Sequence, residues 1–185
     1  FGNANSAYSF DGVNDMIALT KDELGPIANL SSSSWGISLW FKSYTTTSSG
    51  SMIMCARENG PNKEVIYVYI ENNNLKSSIR DDDDELQWMD EISFTDISSW
   101  HHIVFTFDNE INIASLFLDN ENVGSKSINS QMPSYYSTIG AMRHNVVLTP
   151  QHIFNGKLDD IRIYNHALSD TEIIALYNEN VVYVE

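Results

Sequence analysis

The chain has 185 residues, a single cysteine (Cys55) and 25 acidic against 10 basic side chains, for a formal net charge of -15. That length suits one β-sandwich domain able to bury its own core, and one cysteine excludes an intrachain disulfide. The charge excludes a general nucleic-acid binder, which needs cationic surface to displace counterions, and disfavours anionic membranes; no apolar run approaches the roughly 20 residues of a membrane span.

In chain order, strand patterns dominate. Tyr8-Ser9-Phe10 and Met16-Ile17-Ala18-Leu19 flank a first acidic loop, Asp11 to Asp15. Trp35 to Phe41 alternates large apolar with small residues, the pattern of a half-buried strand. A Ser/Thr/Gly loop runs from Ser43 to Ser51, and Met52 to Cys55 resumes extended structure. Val65 to Ile70 is the densest run of β-formers. Asn72-Asn73-Asn74 tolerates positive φ and turns the chain into Leu75 to Arg80 as a hairpin partner.

Asp81 to Glu85 interrupts before Leu86 to Ile92. Strands are predicted at His102 to Phe107, Ala114 to Leu118, Tyr136 to Ala141 and Phe154 to Tyr164. Turn residues at Asp108 to Glu110 and Asp119 to Asn122 follow the first two. Turn signals recur every ten residues or so, the rhythm of a sandwich rather than of βα units. One helix is predicted near the end. Ser169-Asp170-Thr171-Glu172 is a capping box, Ile173, Leu176 and Tyr177 form its apolar stripe, and Asn178 to Asn180 ends it. That stripe is expected on the sandwich edge. The pattern reads as one domain over residues 1–185 with its core at about 8–178; the start at Phe1 suggests part of a larger multidomain polypeptide.

Two distant segments, Phe10 to Asp15 and Phe154 to Tyr164, both read as strand, glycine and clustered acids. If these strands lie side by side the acids converge, and calcium, which favours carboxylate, amide and carbonyl oxygens, would relieve their repulsion. The alternative is that the acids only close turns and accept strand-end N–H groups.

The order Phe-Asp-Gly-x-x-Asp, Ile-Ser-Leu-Trp-Phe, Trp-His-His-Ile-Val-Phe-Thr-Phe-Asp, then Phe-x-Gly-x-Leu-Asp-Asp-Ile-Arg-Ile-Tyr-Asn-His-Ala-Leu-Ser resembles laminin-G-like domains of the concanavalin A-like lectin and glucanase group. The resemblance runs from about Tyr8 to Tyr177. It implies an all-β jelly roll of two antiparallel sheets, one concave, with a short C-terminal helix and a calcium site by the terminal strands. Carried over, the metal ligands are Asp11, Asn14, Asp15 and one of Asp159 or Asp160, with carbonyls near Gly12. Adjacent strand residues face opposite ways, so Asp159 and Asp160 share a role only across a bulge. Asp160 is preferred, because Leu158 and Ile161 cannot both face the core without one.

By the same alternation His101 and His102 cannot chelate one ion, and the resemblance makes Trp100-His101-His102 structural. His144, His152 and His166 lack zinc-ligand spacing. Asp81 to Glu85 lacks the spacing and glycine of an EF-hand and reads as a solvated loop. Trp88 stands out, since alternation places it opposite Gln87 and Met89. Aromatic faces suit the C–H faces of sugars, and hydroxyls want charged or amide partners. Arg57, Arg80, Gln87, Arg143, His144 and Asn145 are the polar candidates around it.

Three functions compete. A calcium-binding, carbohydrate-recognising module of an extracellular or surface protein leads, with a glycan or glycoprotein and the parent's other domains as partners. An adhesive or structural spacer is the second. A glycoside hydrolase needs paired carboxyls flanking the bond, and the Glu-x-Asp-x-x-Glu strand of related glucanases is missing. No enzyme activity, nucleic-acid partner or membrane insertion is expected.

Overall fold

The computed structural model describes residues 7–20, 33–46, 51–57, 64–129, 136–143 and 150–180, with backbone only at 20, 51, 52, 55–57, 64, 136, 143, 150 and 180. The fold is a jelly-roll sandwich of two antiparallel sheets with one short C-terminal helix. The strands are β1 (Tyr8–Asp11), β2 (Ile17–Thr20), β3 (Trp35–Ser43), β4 (Ser51–Arg57), β5 (Glu64–Glu71), β6 (Asn74–Arg80), β7 (Leu86–Trp88), β8 (Ile92–Ser93), β9 (His101–Asp108), β10 (Ile113–Leu118), β11 (Glu121–Ser127), β12 (Tyr136–Ile139), β13 (Met142–Arg143), β14 (Pro150–Gln151) and β15 (Asn155–Tyr164); the helix is α1 (Asp170–Asn180). The first sheet runs β1-β15-β3-β9-β10-β11 and the second β2-β12-β4-β5-β6-β7, with β8 also on β6 and β13-β14 as a separate pair.

The core lies between the sheets. Ile37, Leu39 and Phe41 of β3 and Ile103, Phe105 and Phe107 of β9 meet Val65, Ile66, Val68, Ile70, Leu75 and Ile79 of the second sheet. Burying each such side chain contributes about 1.5–3 kcal/mol, which is what fixes the inward face of every strand. Gly140 serves this packing directly. It has φ of 84°, and a Cβ there would come within 2.1 Å of the Phe10 ring.

The two ends of the chain pair as expected, with Tyr8 opposite Leu158 and Asp11 opposite Asn155. The bulge also exists. Register on β3 shifts between Asp159 and Arg162, Asp160 takes φ of 49°, and Leu158 is buried while Ile161 packs against the same core.

Two expectations change. β3 is buried on both faces rather than half-buried, because Leu168 lies over Gly36, where a Cβ would meet its Cγ at 2.7 Å. And α1 packs on the outer face of the first sheet rather than on the sandwich edge. Leu168, Ile173 and Leu176 cover Val104 and Phe117, and Tyr177 stacks on Trp40 at 5.5 Å and 16°. The helix starts as its sequence dictates. Glu172 Oε2 accepts from Ser169 N at 2.9 Å and Ser169 Oγ at 2.7 Å, and these bonds lower the Glu172 carboxyl to about 2.

Candidate functional site

With α1 roofing one sheet, the opposite sheet leaves Trp88 exposed on its outer face, where Tyr67 and Tyr69 pack against the buried Met142 of β13. On β5, Ile66, Val68 and Ile70 point inward, so Tyr67 and Tyr69 point out. Tyr67 pairs with Ser78 and Ser78 with Trp88, and residues directly opposite on neighbouring strands share a face. Ser78 therefore forms the floor between two rings; it is buried, and its Oγ has no hydrogen-bond partner among the described residues. Trp88 lies nearly parallel to Tyr67, with centroids 6.1 Å apart and 11° between planes. It meets Tyr69 edge-on at 6.4 Å, and Tyr67 and Tyr69 meet edge-on at 6.1 Å. Packed against two tyrosines, Trp88 still leaves 46% of its surface to solvent.

These rings, with Glu71, Leu86, Met142 and His152, line a cleft of about 190 Å³. That is smaller than the roughly 300–1,000 Å³ of drug-sized sites and suits one small ring. Burial is the main cause that holds the Tyr69 phenol above its ordinary pKa, and a phenol hydroxyl can both donate and accept a hydrogen bond. Beside the cleft, Lys76 Nζ lies 3.3 Å from Glu71 and 3.0 Å from Glu91. The hydrogen bond to Glu91, with that to Glu71, raises its pKa.

The polar candidates around Trp88 fare differently. Arg80 Nη1 donates to the Asp84 carbonyl at 2.7 Å and lies 3.3 Å from its carboxylate. Gln87 Nε2 donates to Asp81 Oδ2 at 2.7 Å. Both side chains therefore brace the acidic turn. Asp81 itself is buried and accepts from Glu85 N, so the run is a self-braced turn rather than a wholly solvated loop. Arg57 and Arg143 are described in backbone only, and His144 and Asn145 lie outside the described residues. Sequence reasoning missed Tyr67, Tyr69, Glu71, Met142 and His152. For the tyrosines the signal was present, since they alternate with Ile66, Val68 and Ile70.

The acids at the chain ends separate into two groups. Asp11 and Asp15 share one loop, where Asp15 Oδ2 accepts from Asp11 N at 2.8 Å and Asp11 Oδ1 from Val13 N at 2.7 Å. Asn155, opposite Asp11, lies against Gly12. Asp159 and Asp160 begin four residues further along β15, about 13 Å at the strand rise. Asp159 Oδ1 accepts from Asp160 N. Asp160 Oδ1 lies 2.7 Å from Arg162 Nε, and Arg162 reaches Glu179 of α1 at 2.7 Å. The register thus keeps Asp159 and Asp160 away from Asp11, Asn14 and Asp15, and Asp160 helps to tie the helix end to the bulge. Among the described residues no three His, Cys, Asp or Glu side chains gather in a metal-holding group.

The histidine pair is structural. Asp119 accepts from His102 N and binds His101 Nδ1, at 2.8 and 2.7 Å. His102 Nε2 meets Ser38 Oγ at 2.8 Å inside the roofed face.

A family model described as the concanavalin A-like lectin/glucanases superfamily matches residues 11–174. No curated protein sequence matches the chain. Among solved structures, the CBM40 of a Ruminococcus gnavus IT-sialidase bound to α2,3-sialyllactose is 16% identical, with a TM-score of 0.71 over 92% of this chain and 97% of that one. The botulinum neurotoxin serotype D ligand binding domain, in complex with N-acetylneuraminic acid, is 17% identical, with a TM-score of 0.70 over 96% of this chain and 44% of that one. A NanB sialidase from Streptococcus pneumoniae is 16% identical, with a TM-score of 0.70 over 90% of this chain and 26% of that one. At such identities the likeness is one of fold. The family match spans nearly the whole chain, which therefore belongs to the concanavalin A-like lectin/glucanases superfamily as a laminin-G-type jelly roll.

Proposed function

We propose that this chain is a non-catalytic glycan-binding module whose seat is the cleft of Tyr67, Tyr69 and Trp88. The observation that carries the reading is Trp88, 46% exposed yet fixed against two tyrosines. A large aromatic surface already immobilised loses little entropy when a ligand covers it. Sugar C–H faces pack on such rings, while Glu71 and the Tyr69 hydroxyl supply hydrogen-bond partners for sugar hydroxyls. Two similar structures hold sialyllactose and N-acetylneuraminic acid, which supports the glycan class. Glu71 is the one carboxylate among the described residues of the cleft, and glycoside hydrolysis needs two, roughly 5–9.5 Å apart. An extracellular or cell-surface setting, joined to other domains, belongs to the same proposal.

Calcium enters this proposal in a reduced form. Asp11, Asp15, Asn14, Asn155 and nearby carbonyls offer the oxygen donors calcium favours. Asp159 and Asp160 do not fit that set. A bound ion would stiffen the loop beside the paired chain ends. A melting temperature that falls on adding chelator, and no longer responds in Asp11→Asn, is the expected outcome, because a ligand of the native state stabilises it by mass action. A melting temperature indifferent to chelator removes calcium from the account.

The deciding experiment is a glycan array probed with the folded domain in millimolar calcium, repeated with Trp88→Ala. Binding to a related set of sugars, weakened at least about tenfold (~1.4 kcal/mol) in the folded variant, is expected. A blank array with folded protein sinks the glycan reading and leaves the spacer role.

A further inference from the structure

The charges at the cleft bear on which sugars it takes. Glu71 is the carboxylate described in its lining, beside His152. Among the described side chains, the two nearby cations are already paired. Lys76 sits between Glu71 and Glu91, at 3.3 and 3.0 Å, and Arg80 is held by Asp84 at 3.3 Å. Lys76, Glu71 and Glu91 together carry one negative charge more than they neutralise, and the whole chain carries a net charge of -15.

A carboxylated sugar stacked on Trp88 would bring its charge toward Glu71, where the described lysine and arginine side chains, Lys76 and Arg80, are already paired with carboxylates. Like charges a few ångströms apart, only partly screened by water, cost at least the equivalent of a tenfold loss of affinity. An uncharged sugar meets no such penalty. Its hydroxyls can donate to the Glu71 carboxylate, an acceptor-only group, and a charge-assisted hydrogen bond is about twice as strong as a neutral one.

Resting on the glycan-binding reading, we infer that the cleft selects uncharged hexopyranoses and rejects carboxylated sugars, with Glu71 as the discriminating residue. The aromatic rings set affinity through the sugar's C–H face. Glu71 sets selectivity, rewarding a hydroxymethyl or ring hydroxyl and repelling a carboxylate in its place. This specificity runs opposite to the acidic sugars held by two structures of the same fold.

The test uses matched pairs that differ only at C6, methyl hexosides of the gluco, galacto and manno series against their methyl hexuronides, with N-acetylneuraminic acid as a further acid. Affinity is read by ligand-observed magnetic resonance and by Trp88 fluorescence on the intact chain. At least one neutral hexoside is expected to bind at least tenfold more tightly than its uronide, and Glu71→Gln is expected to narrow that gap at least threefold. Equal or tighter binding of the acids overturns the selectivity while leaving a glycan module; loss of that acid binding in Arg143→Ala would identify the cation responsible. An unchanged gap in folded Glu71→Gln also overturns it. Failure of every sugar to bind folded protein overturns the glycan reading itself.

Discussion

The two outer faces of the sandwich carry the same kind of cluster and use it differently. On the first sheet, Trp40, His102 and Tyr177 lie within 5.1 to 6.0 Å of one another, and α1 closes over them. On the second, Tyr67, Tyr69 and Trp88 lie within 6.1 to 6.4 Å, and solvent reaches the tryptophan. The chemistry of the rings does not distinguish structure from binding. What distinguishes them is how far the chain supplies its own cover: α1 closes over the first cluster, whereas in the second Tyr67 and Tyr69 pack against Met142 and Trp88 stays 46% exposed.

Substitution at matched positions breaks this comparison most directly. Trp40→Ala, at a buried ring, is expected to cost about 3–5 kcal/mol and to show as a large drop in the urea midpoint. Trp88→Ala, on the open face, should cost about 1 kcal/mol or less by the same melt, since it forfeits ring contacts but little burial. Equal losses at the two positions would erase the distinction between the faces.

Acid sharpens the comparison, because among the described residues only the roofed face buries an imidazole. Burial holds His102 down to about 4 from an ordinary 6.5, against the charges of Asp119 and Asp160. The unfolded chain therefore takes up this proton first. The stability tied to neutral His102 is complete above pH 6.5 and declines as pH falls toward 4, by up to about 3 kcal/mol. His101 has the opposite sign. Burial opposes its protonation, but the bond and charge of Asp119, with Asp96, outweigh it and raise its pKa. Its contribution is complete below 6.5 and fades as pH rises through the raised value. Stability measured by denaturant melts from pH 6.5 to 4 should slope less steeply in His102→Gln; an unchanged slope would show that His102 is not the acid-sensitive group.

The smallest expected effect is at the start of the roof. Ser169→Ala removes the cap and should cost about 1 kcal/mol, while the Glu172 carboxyl, now without its Ser169 hydroxyl donor, should titrate above its present value of about 2. Proton-resolved titration of Glu172 checks both parts of the capping box.

How far the sequence reaches depends on the range of each interaction. The capping box, the turn at Asn72 to Asn74, where Asn72 and Asn73 do take positive φ, and the outward Trp88 were legible because each is decided within a few residues. The bulge at Asp159 to Arg162 was legible for the same reason, since Leu158 and Ile161 cannot both face inward without it. The tyrosines of the cleft carried the same alternation signal as Trp88 and were passed over because two neighbouring strands had to be placed before they formed a platform. Arg80 and Gln87 looked available in one dimension, and a turn that folds back on itself claimed them.

By itself the sequence determined the two-sheet class, the pairing of first strand with last, and the family, because alternation, turn chemistry and the terminal motif are local patterns repeated along the chain. Only the tertiary structure decided which aromatic cluster is roofed, which strand is buried on both faces, and that Asp11 and Asp160 stand at different levels of the paired strands β1 and β15. Those outcomes depend on strand register and on where α1 lands, contacts between residues more than a hundred positions apart that no local pattern encodes.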